Sequence, residues 1–301
     1  MSRNEFDVVI VGKGPAGISA ALYALRANLS VLIVAKDSGA LAKAHEIANY
    51  YGFAEPISGF ELEARGETQA KNLGAEFLDG EVLDLMLAEG FHIRAREHGG
   101  NFRDIASKTV IVAAGSVRSK VAVPGMDAFE GKGVSYCAVC DGFFYRKKNV
   151  AVLGNGAYAL SEAGELLPLA AKVSICTLGE EPAVEIPAGF AVERERILSV
   201  EGNSHVERLR FESGREIPVD GIFVAVGTAS ASDLARKAGA ALNANKLMVD
   251  ENLMTTVPGL FAAGDCLGGV LQVAVAVGEG ARAGLGAVAH VRKLRTKEGS
   301  K

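Results

Sequence analysis

Apolar residues fall in short blocks separated by glycine turns. Asp7–Val11 and Ser30–Ala35 are two such blocks and predict buried strands. Between them, Pro15 to Ala27 places Ile18, Ala21, Leu22 and Leu25 on one stripe at helical spacing. Strand, glycine turn, helix and strand make a βαβ unit. A second follows at "NVAVLGNGAYALSEAGELLPLAAKVSICTLGEE", with strands over Asn149–Leu153 and Lys172–Thr177. Its recurrence is an internal repeat of supersecondary type. Two further buried strands run into glycines at Val110–Gly115 and Gly221–Gly227. Gly259–Gly284 predicts a strand, a Gly-Asp turn and a helix of small residues. Asp265 after that strand can cap the helix or accept a hydrogen bond from a sugar hydroxyl.

The glycines bring in chemistry. Gly12, Gly14 and Gly17 form GxGxxG between a strand and a helix. The first makes the tight turn, the second admits a pyrophosphate to the backbone, and the third lets helix and strand pack closely. The helix then offers free N–H groups to the phosphates. No acid closes the second strand at Ala35, so the motif alone does not choose between FAD and a nicotinamide. Gly154, Gly156 and Ala159 form a GxGxxA turn in the second unit.

Between the two units lies Cys137-Ala-Val-Cys140, followed by Asp141. A CxxC can hold metal, staple a loop or carry electrons. Zinc takes about four ligands, and no second cysteine pair is present; His98 and His205 are distant. No metal is therefore expected. A disulfide closing so small a loop removes little chain entropy, which favours redox work. CxxC placement lowers the pKa of one thiol. Asp141 is either an ordinary turn aspartate or a proton donor.

The bulk numbers narrow the field. The chain has 301 residues, enough for about two domains. Its net charge of −4 gives no basic field for nucleic acid. No segment approaches the ~20 apolar residues that cross a bilayer. A strand starts almost at the N-terminus, and a cytoplasmic protein with normally reduced cysteines is expected. Cys176, in an apolar strand, is expected to be an inert core thiol, and Cys266 to pack.

"GKGPAG", "ALYALRANL", "IANYYGF", "VIVAAG", "GVSYCAVCDGFFYRKKNVAVLG", "GIFVAVG" and "GLFAAGD" resemble, in order and spacing, the low-molecular-weight thioredoxin reductases, which are FAD-containing disulfide reductases. "CAVCDGFF" is the most specific element. The resemblance implies an α/β fold of two Rossmann-like nucleotide-binding domains, of three-layer ββα type. The FAD domain would be discontinuous, over residues 1–115 and 245–301, and residues 116–244 would form an NAD(P)H-like domain carrying the CxxC. It implies a homodimer that reduces thioredoxin. Cys140 would face the flavin, Cys137 would attack the partner's disulfide, and Asp141 would protonate the departing thiolate. The disulfide would have to face flavin and solvent in turn, by domain rotation about crossings near Ser116–Val123 and Asn243–Val249. Implied FAD contacts are Gly12, Gly14, Pro15, Ala16 and Gly17 at the pyrophosphate. Lys36, Gly39, Ala40 and Leu41 fall on the adenosine side, with Val82, Ala114 and Gly115 flanking adenine and ribose. Asn49, Gly264, Asp265, Gln272 and Val273 would lie toward the ribityl chain and flavin.

Several residues depart from the NADPH-using pattern. The stretch in which NADPH-using members carry two basic residues to clamp a 2′-phosphate is here Thr177, Leu178 and Gly179, none of them basic, followed by Glu180 and Glu181. Carboxylates there repel a phosphate. Asn155 replaces a glycine, Tyr158 stands where the turn usually has a small hydroxyl residue, and Leu271-Gln272 lacks the family's arginine. Pro168 interrupts the following helix. The pattern resembles ferredoxin-dependent flavin thioredoxin reductases, which keep the CxxC and have lost nicotinamide binding. A ferredoxin would dock on basic residues, with Arg146, Lys147 and Lys148 or Arg194 and Arg196 as candidates. An NADH- or NADPH-dependent reductase and a flavin-bound redox sensor are the alternatives.

Overall fold

The computed structural model describes residues 4–115, 121–243 and 246–298. The chain divides into two compact units, Met1–Val117 with Ser230–Lys301, and Arg118–Ala229. Of the expected crossings, residues 116–120 and 244–245 lie outside the described residues.

In the first unit, β1 (Glu5–Val11), α1 (Pro15–Arg26) and β2 (Val31–Ala35) form the expected βαβ. Pro15 starts α1 with its preset φ, and no side chain caps the Gly14 end. Asn28, at φ 60, turns the chain out of the helix. α2 (Gly59–Asn72) is capped by Ser58, whose hydroxyl accepts from Glu61 N–H. Then come β3 (Glu76–Leu87), β4 (Phe91–Glu97) and β5 (Phe102–Val112). β3 and β5 are long enough to serve twice. Their outer halves pair antiparallel with β4, while the start of β3 pairs parallel with β2 and the end of β5 pairs parallel with β1.

The second unit contains β6 (Val134–Ser135), the single turn α3 (Ala138–Asp141), β7 (Asn149–Leu153), α4 (Ala157–Leu166) and β8 (Lys172–Cys176). It continues with β9 (Ala191–Glu193), β10 (Ile197–Gly202), β11 (Val206–Phe211), β12 (Glu216–Pro218) and β13 (Gly221–Val224). The parallel sheet runs β6-β13-β7-β8-β9, and β10-β11-β12 form a separate antiparallel layer. Ala151, Leu153, Cys176 and Ile222 from the parallel sheet share a core with Val200, Leu209 and Phe211 from the other layer. α4 ends at Leu166, just before Pro168.

The chain then returns to the first unit. α5 (Ala231–Lys237) opens with a capping box between Ser230 and Asp233. Its buried Lys237 donates from Nζ to the Leu83 carbonyl of β3 at 2.9 Å. That anchorage joins residues 230–243 to the first unit, rather than to the middle domain as expected. A small hairpin, β14 (Leu242–Asn243) with β15 (Lys246–Leu247), precedes β16 (Leu260–Ala262) and the long α6 (Val273–Glu298). β16 adds to β5 in parallel. Asp265 heads a separate one-turn 3₁₀ segment, Asp265–Leu267, and so does not cap α6.

α6 lies against α1 because both surfaces are made of small residues. Ala16, Ala20 and Ala24 are buried with Ala276, Ala283 and Ala287. A Cβ on Gly280 would stand 2.1 Å from the Ala16 carbonyl oxygen, and one on Gly284 would stand 2.6 Å from that of Ala20. Gly280→Ala therefore forces the helices apart and destabilises the first unit by about 1–3 kcal/mol. Thermal unfolding checks this, and a melting temperature equal to the parent's would contradict it.

Candidate functional site

Cys137 and Cys140 form a disulfide, with Cα atoms 5.3 Å apart. Cys137 is the N-cap of α3 and is fully buried, whereas Cys140 is exposed. Cys137, which the resemblance implies as the attacking thiol, is thus the buried sulphur of the pair and Cys140 the exposed one. Asp141 is tied to the strand before the cysteines. Its Oδ2 accepts from Ser135 Oγ at 2.6 Å, and Ser135 Oγ in turn accepts from Cys137 N–H at 3.2 Å. From α4, the buried carboxylate of Glu162 accepts the Ala138 N–H at 2.7 Å. Ser135 and Glu162 escape sequence reasoning. Ser135 lies two residues before the CxxC, a visible hint, whereas Glu162 arrives only through folding. Cys176 and Cys266 are both buried, and burial pushes each thiol up to about 12. Neither is a nucleophile.

The first glycine turn is built to hold something. Gly12 has φ +108, and a Cβ there would meet the Ala113 carbonyl oxygen at 2.4 Å. A Cβ on Gly17 would meet the Gly12 carbonyl oxygen at 2.0 Å. Beside Gly14 nothing lies within 4 Å of a Cβ position. The turn is thus closed toward the protein and open outward at Gly14. Lys13 is turned back onto α2, pairing with Glu63 at 3.0 Å and Glu67 at 2.6 Å. Burial alone would lower the Lys13 ammonium, but these two carboxylates hold it above its usual range.

Two other expected contacts, Gly264 and Ala114, border this turn. A Cβ on Gly264 would lie 3.0 Å from the Ala16 side chain, and Gly264 N–H donates to Glu279 at 2.8 Å. Ala114 borders Gly12, at 3.1 Å from its Cβ position. Asn49 Nδ2 donates to Gln272 Oε1 at 2.9 Å, joining two expected contacts 223 residues apart. Lys36, just past β2, pairs with Glu81 on β3 at 3.1 Å, next to buried Val82. Gly39 N–H bonds Asp37 in a tight turn, and Leu41 opens a short 3₁₀ segment.

The second glycine turn has another fate. Gly154, at φ +145, still passes close to the Ala225 carbonyl. Asn155 Nδ2, however, donates to Glu180 Oε2 at 2.8 Å and to the Glu181 carbonyl at 3.3 Å, and its own carbonyl accepts from Ala183 N–H. The Thr177 hydroxyl bonds the Glu180 carbonyl, and Arg194 reaches Glu181 at 3.5 Å. The segment after β8 is thereby fastened across the turn, and Tyr158 is buried in the first turn of α4.

Comparison with known proteins decides the family. Residues 6–280 match the model of the pyridine nucleotide-disulphide oxidoreductases. The thioredoxin reductase of Aquifex aeolicus is 34% identical, covering 93% of this chain and 91% of its own; that of Bacillus subtilis is 32% identical, covering 96% of each. The chain belongs to the pyridine nucleotide-disulphide oxidoreductase family, in its thioredoxin reductase branch. Among solved structures, the atypical thioredoxin reductase TRi of Desulfovibrio vulgaris Hildenborough is 41% identical with a TM-score of 0.88, covering 95% of this chain and 98% of that one. A ferredoxin-flavin thioredoxin reductase of Clostridium acetobutylicum is 31% identical with a TM-score of 0.68, covering 97% and 99%.

Thioredoxin reductases of this family use FAD, and the first unit fits it. The uncapped α1 terminus and the open side of Gly14 suit a pyrophosphate. The acid missing from the end of β2 has a substitute in Glu81. Its Oε2 meets Lys36, while its Oε1 is buried without a hydrogen-bond partner. Burial holds this carboxyl above its ordinary range despite the Lys36 charge. Such an atom can accept from a ribose hydroxyl. Glu81→Ala should weaken FAD binding about tenfold or more, measured by the fluorescence of released flavin. An unchanged dissociation constant would rule out the contact.

Proposed function

We propose that this protein is a thioredoxin-disulfide reductase that draws its electrons from reduced ferredoxin. The observation that carries the reading is a pairing of features: a Cys137–Cys140 disulfide beside Asp141, and a second glycine turn bridged by Asn155 and Glu180. The first is a redox centre. The second ties Asn155 to Glu180 at a strand end where a nicotinamide dinucleotide would lie, and sets carboxylates there in place of phosphate-binding cations. A homodimer in the cytoplasm belongs to the same reading.

Gly12, Gly14, Pro15, Ala16 and Gly17 would hold the FAD pyrophosphate. Lys36, Gly39, Ala40, Leu41, Glu81 and Val82 would hold the adenosine side, next to Ala114 and Gly115. Asn49, Gly264, Asp265, Gln272 and Val273 would face the flavin. Bound there, FAD supplies a two-electron store that can be filled one electron at a time and emptied into a disulfide.

The chain's own residues divide the thiol chemistry. In the reduced pair, Cys140 is the reachable sulphur. Its thiolate attacks the thioredoxin disulfide, forming a mixed disulfide and expelling one thioredoxin thiolate. Asp141, oriented by Ser135, carries the proton for that thiolate. Cys137 then attacks Cys140 Sγ, re-forms the internal disulfide and releases dithiol thioredoxin. Exposed Val139, Phe143 and Phe144 beside Cys140 offer apolar surface to a protein substrate. Arg146 and Lys148 lie over the rings of Phe143 and Tyr145 and keep positive charge next to the centre. They suit an acidic electron donor better than Arg194, which is paired with Glu181.

Anaerobic mixing tests the donor. Reduced ferredoxin should bleach the flavin rapidly and support thioredoxin reduction, while NADPH and NADH should do neither. Rapid bleaching by micromolar NADPH would overturn the ferredoxin reading. Cys137→Ser and Cys140→Ser should each abolish thioredoxin turnover with FAD still bound; turnover retained in either would overturn the reductase assignment.

A further inference from the structure

α3 differs from the usual setting of a reactive thiol. A cysteine at a helix N-terminus normally gains from the free N–H groups of the first turn, which favour its thiolate. Here two of those groups are engaged by carboxylate systems. Cys137 N–H donates to Ser135 Oγ, whose hydroxyl donates to Asp141, and Ala138 N–H donates to Glu162. Among the described residues, Cys140 N–H is directed at Cys137 Sγ, at 3.2 Å. Cys137 is also fully buried. Burial and the Glu162 carboxylate both disfavour a thiolate at Cys137. Cys140 is exposed and escapes the burial penalty.

We propose that Glu162 is a positioning residue that reserves the thiolate for Cys140, its buried carboxylate on the Ala138 N–H keeping Cys137 protonated in the reduced pair. This rests on the reading of the pair as redox-active. When two electrons enter, the Sγ–Sγ bond breaks. One proton from solvent goes to Cys137 Sγ, and Cys140 Sγ retains its new electron pair as the thiolate. The exposed sulphur is then armed for the protein substrate, and the buried one waits as a neutral thiol until the mixed disulfide forms.

Among the described residues, Tyr145, Arg146, Lys148 and Glu165 also lie on or beside the elements packed against α3. Tyr145 follows in the next turn, and burial, with Asp141 and Asp220, pushes its phenol up. Arg146 and Lys148 are exposed and directed at aromatic rings. Glu165 on α4 is solvent-exposed.

The test is the pH dependence of carbamidomethylation by iodoacetamide, followed by mass spectrometry on the full-length, FAD-loaded protein. In Cys140→Ser, Cys137 should react with a midpoint above the ordinary thiol value of about 8.5. Adding Glu162→Gln keeps an oxygen to accept the Ala138 N–H but removes the charge. The midpoint should fall by about one unit or more, raising the rate at neutral pH about tenfold. Glu162→Asp, which keeps the charge, should hold the high midpoint, and retained FAD certifies the fold of each variant. In Cys137→Ser, Cys140 should titrate below Cys137. A Cys137 midpoint under 8.5, no response to Glu162→Gln, or the reverse order of the two thiols would each overturn the proposal. The assay uses neither ferredoxin nor thioredoxin, so a failed donor assignment leaves its result intact.

Discussion

Close approach of one backbone to another, at positions where a side chain cannot fit, is the constraint on which the rest depends. Gly12 passes against Ala113, Gly17 sits on Gly12, and Gly280 and Gly284 press α6 onto Ala16 and Ala20. These contacts set α1 at one distance from the sheet and from α6. They also leave its N-terminal amides and the open side of Gly14 facing outward. The cofactor cradle is therefore not an addition to the fold. It is the outer surface of the same packing that joins the beginning of the chain to its end.

The second unit uses the same device for a different purpose. Gly154 crosses close to Ala225 much as Gly12 crosses close to Ala113. Its turn, however, is bridged on one side by Asn155, which bonds Glu180 and the Glu181 carbonyl in the segment after β8. What this unit presents instead is α3. A disulfide there is held between Asp141, through Ser135, and Glu162. One unit has the cradle and the other has the redox pair, which is a division of labour suited to electron transfer in two stages.

Much of this was legible beforehand, for identifiable reasons. The βαβ units show because glycine spacing and apolar runs are local signals, and the strands at Asn149–Leu153 and Lys172–Cys176 fall where the pattern puts them. The cysteines and Asp141 are contiguous, so their association needs no folding to be seen. Glu81 and Glu162 were invisible because each acts across a distance in sequence. Glu81 follows the end of β2 only through strand pairing, and Glu162 meets Ala138 from the neighbouring helix. The placement of residues 230–243 was missed for a similar reason: buried Lys237 ties α5 to a β3 carbonyl far away in the chain. That Cys137 is buried and Cys140 exposed is likewise not encoded by CxxC spacing. Asn155 and Tyr158 are conspicuous in the sequence as departures, but the bond from Asn155 to Glu180 across the turn shows only in the fold.

We propose that the second glycine turn no longer takes a dinucleotide and that the disulfide is served by another protein. Titration calorimetry of the oxidised, FAD-loaded protein with NADPH tests it most directly. The account predicts no saturable binding up to millimolar NADPH. Stoichiometric binding in the micromolar range would contradict it.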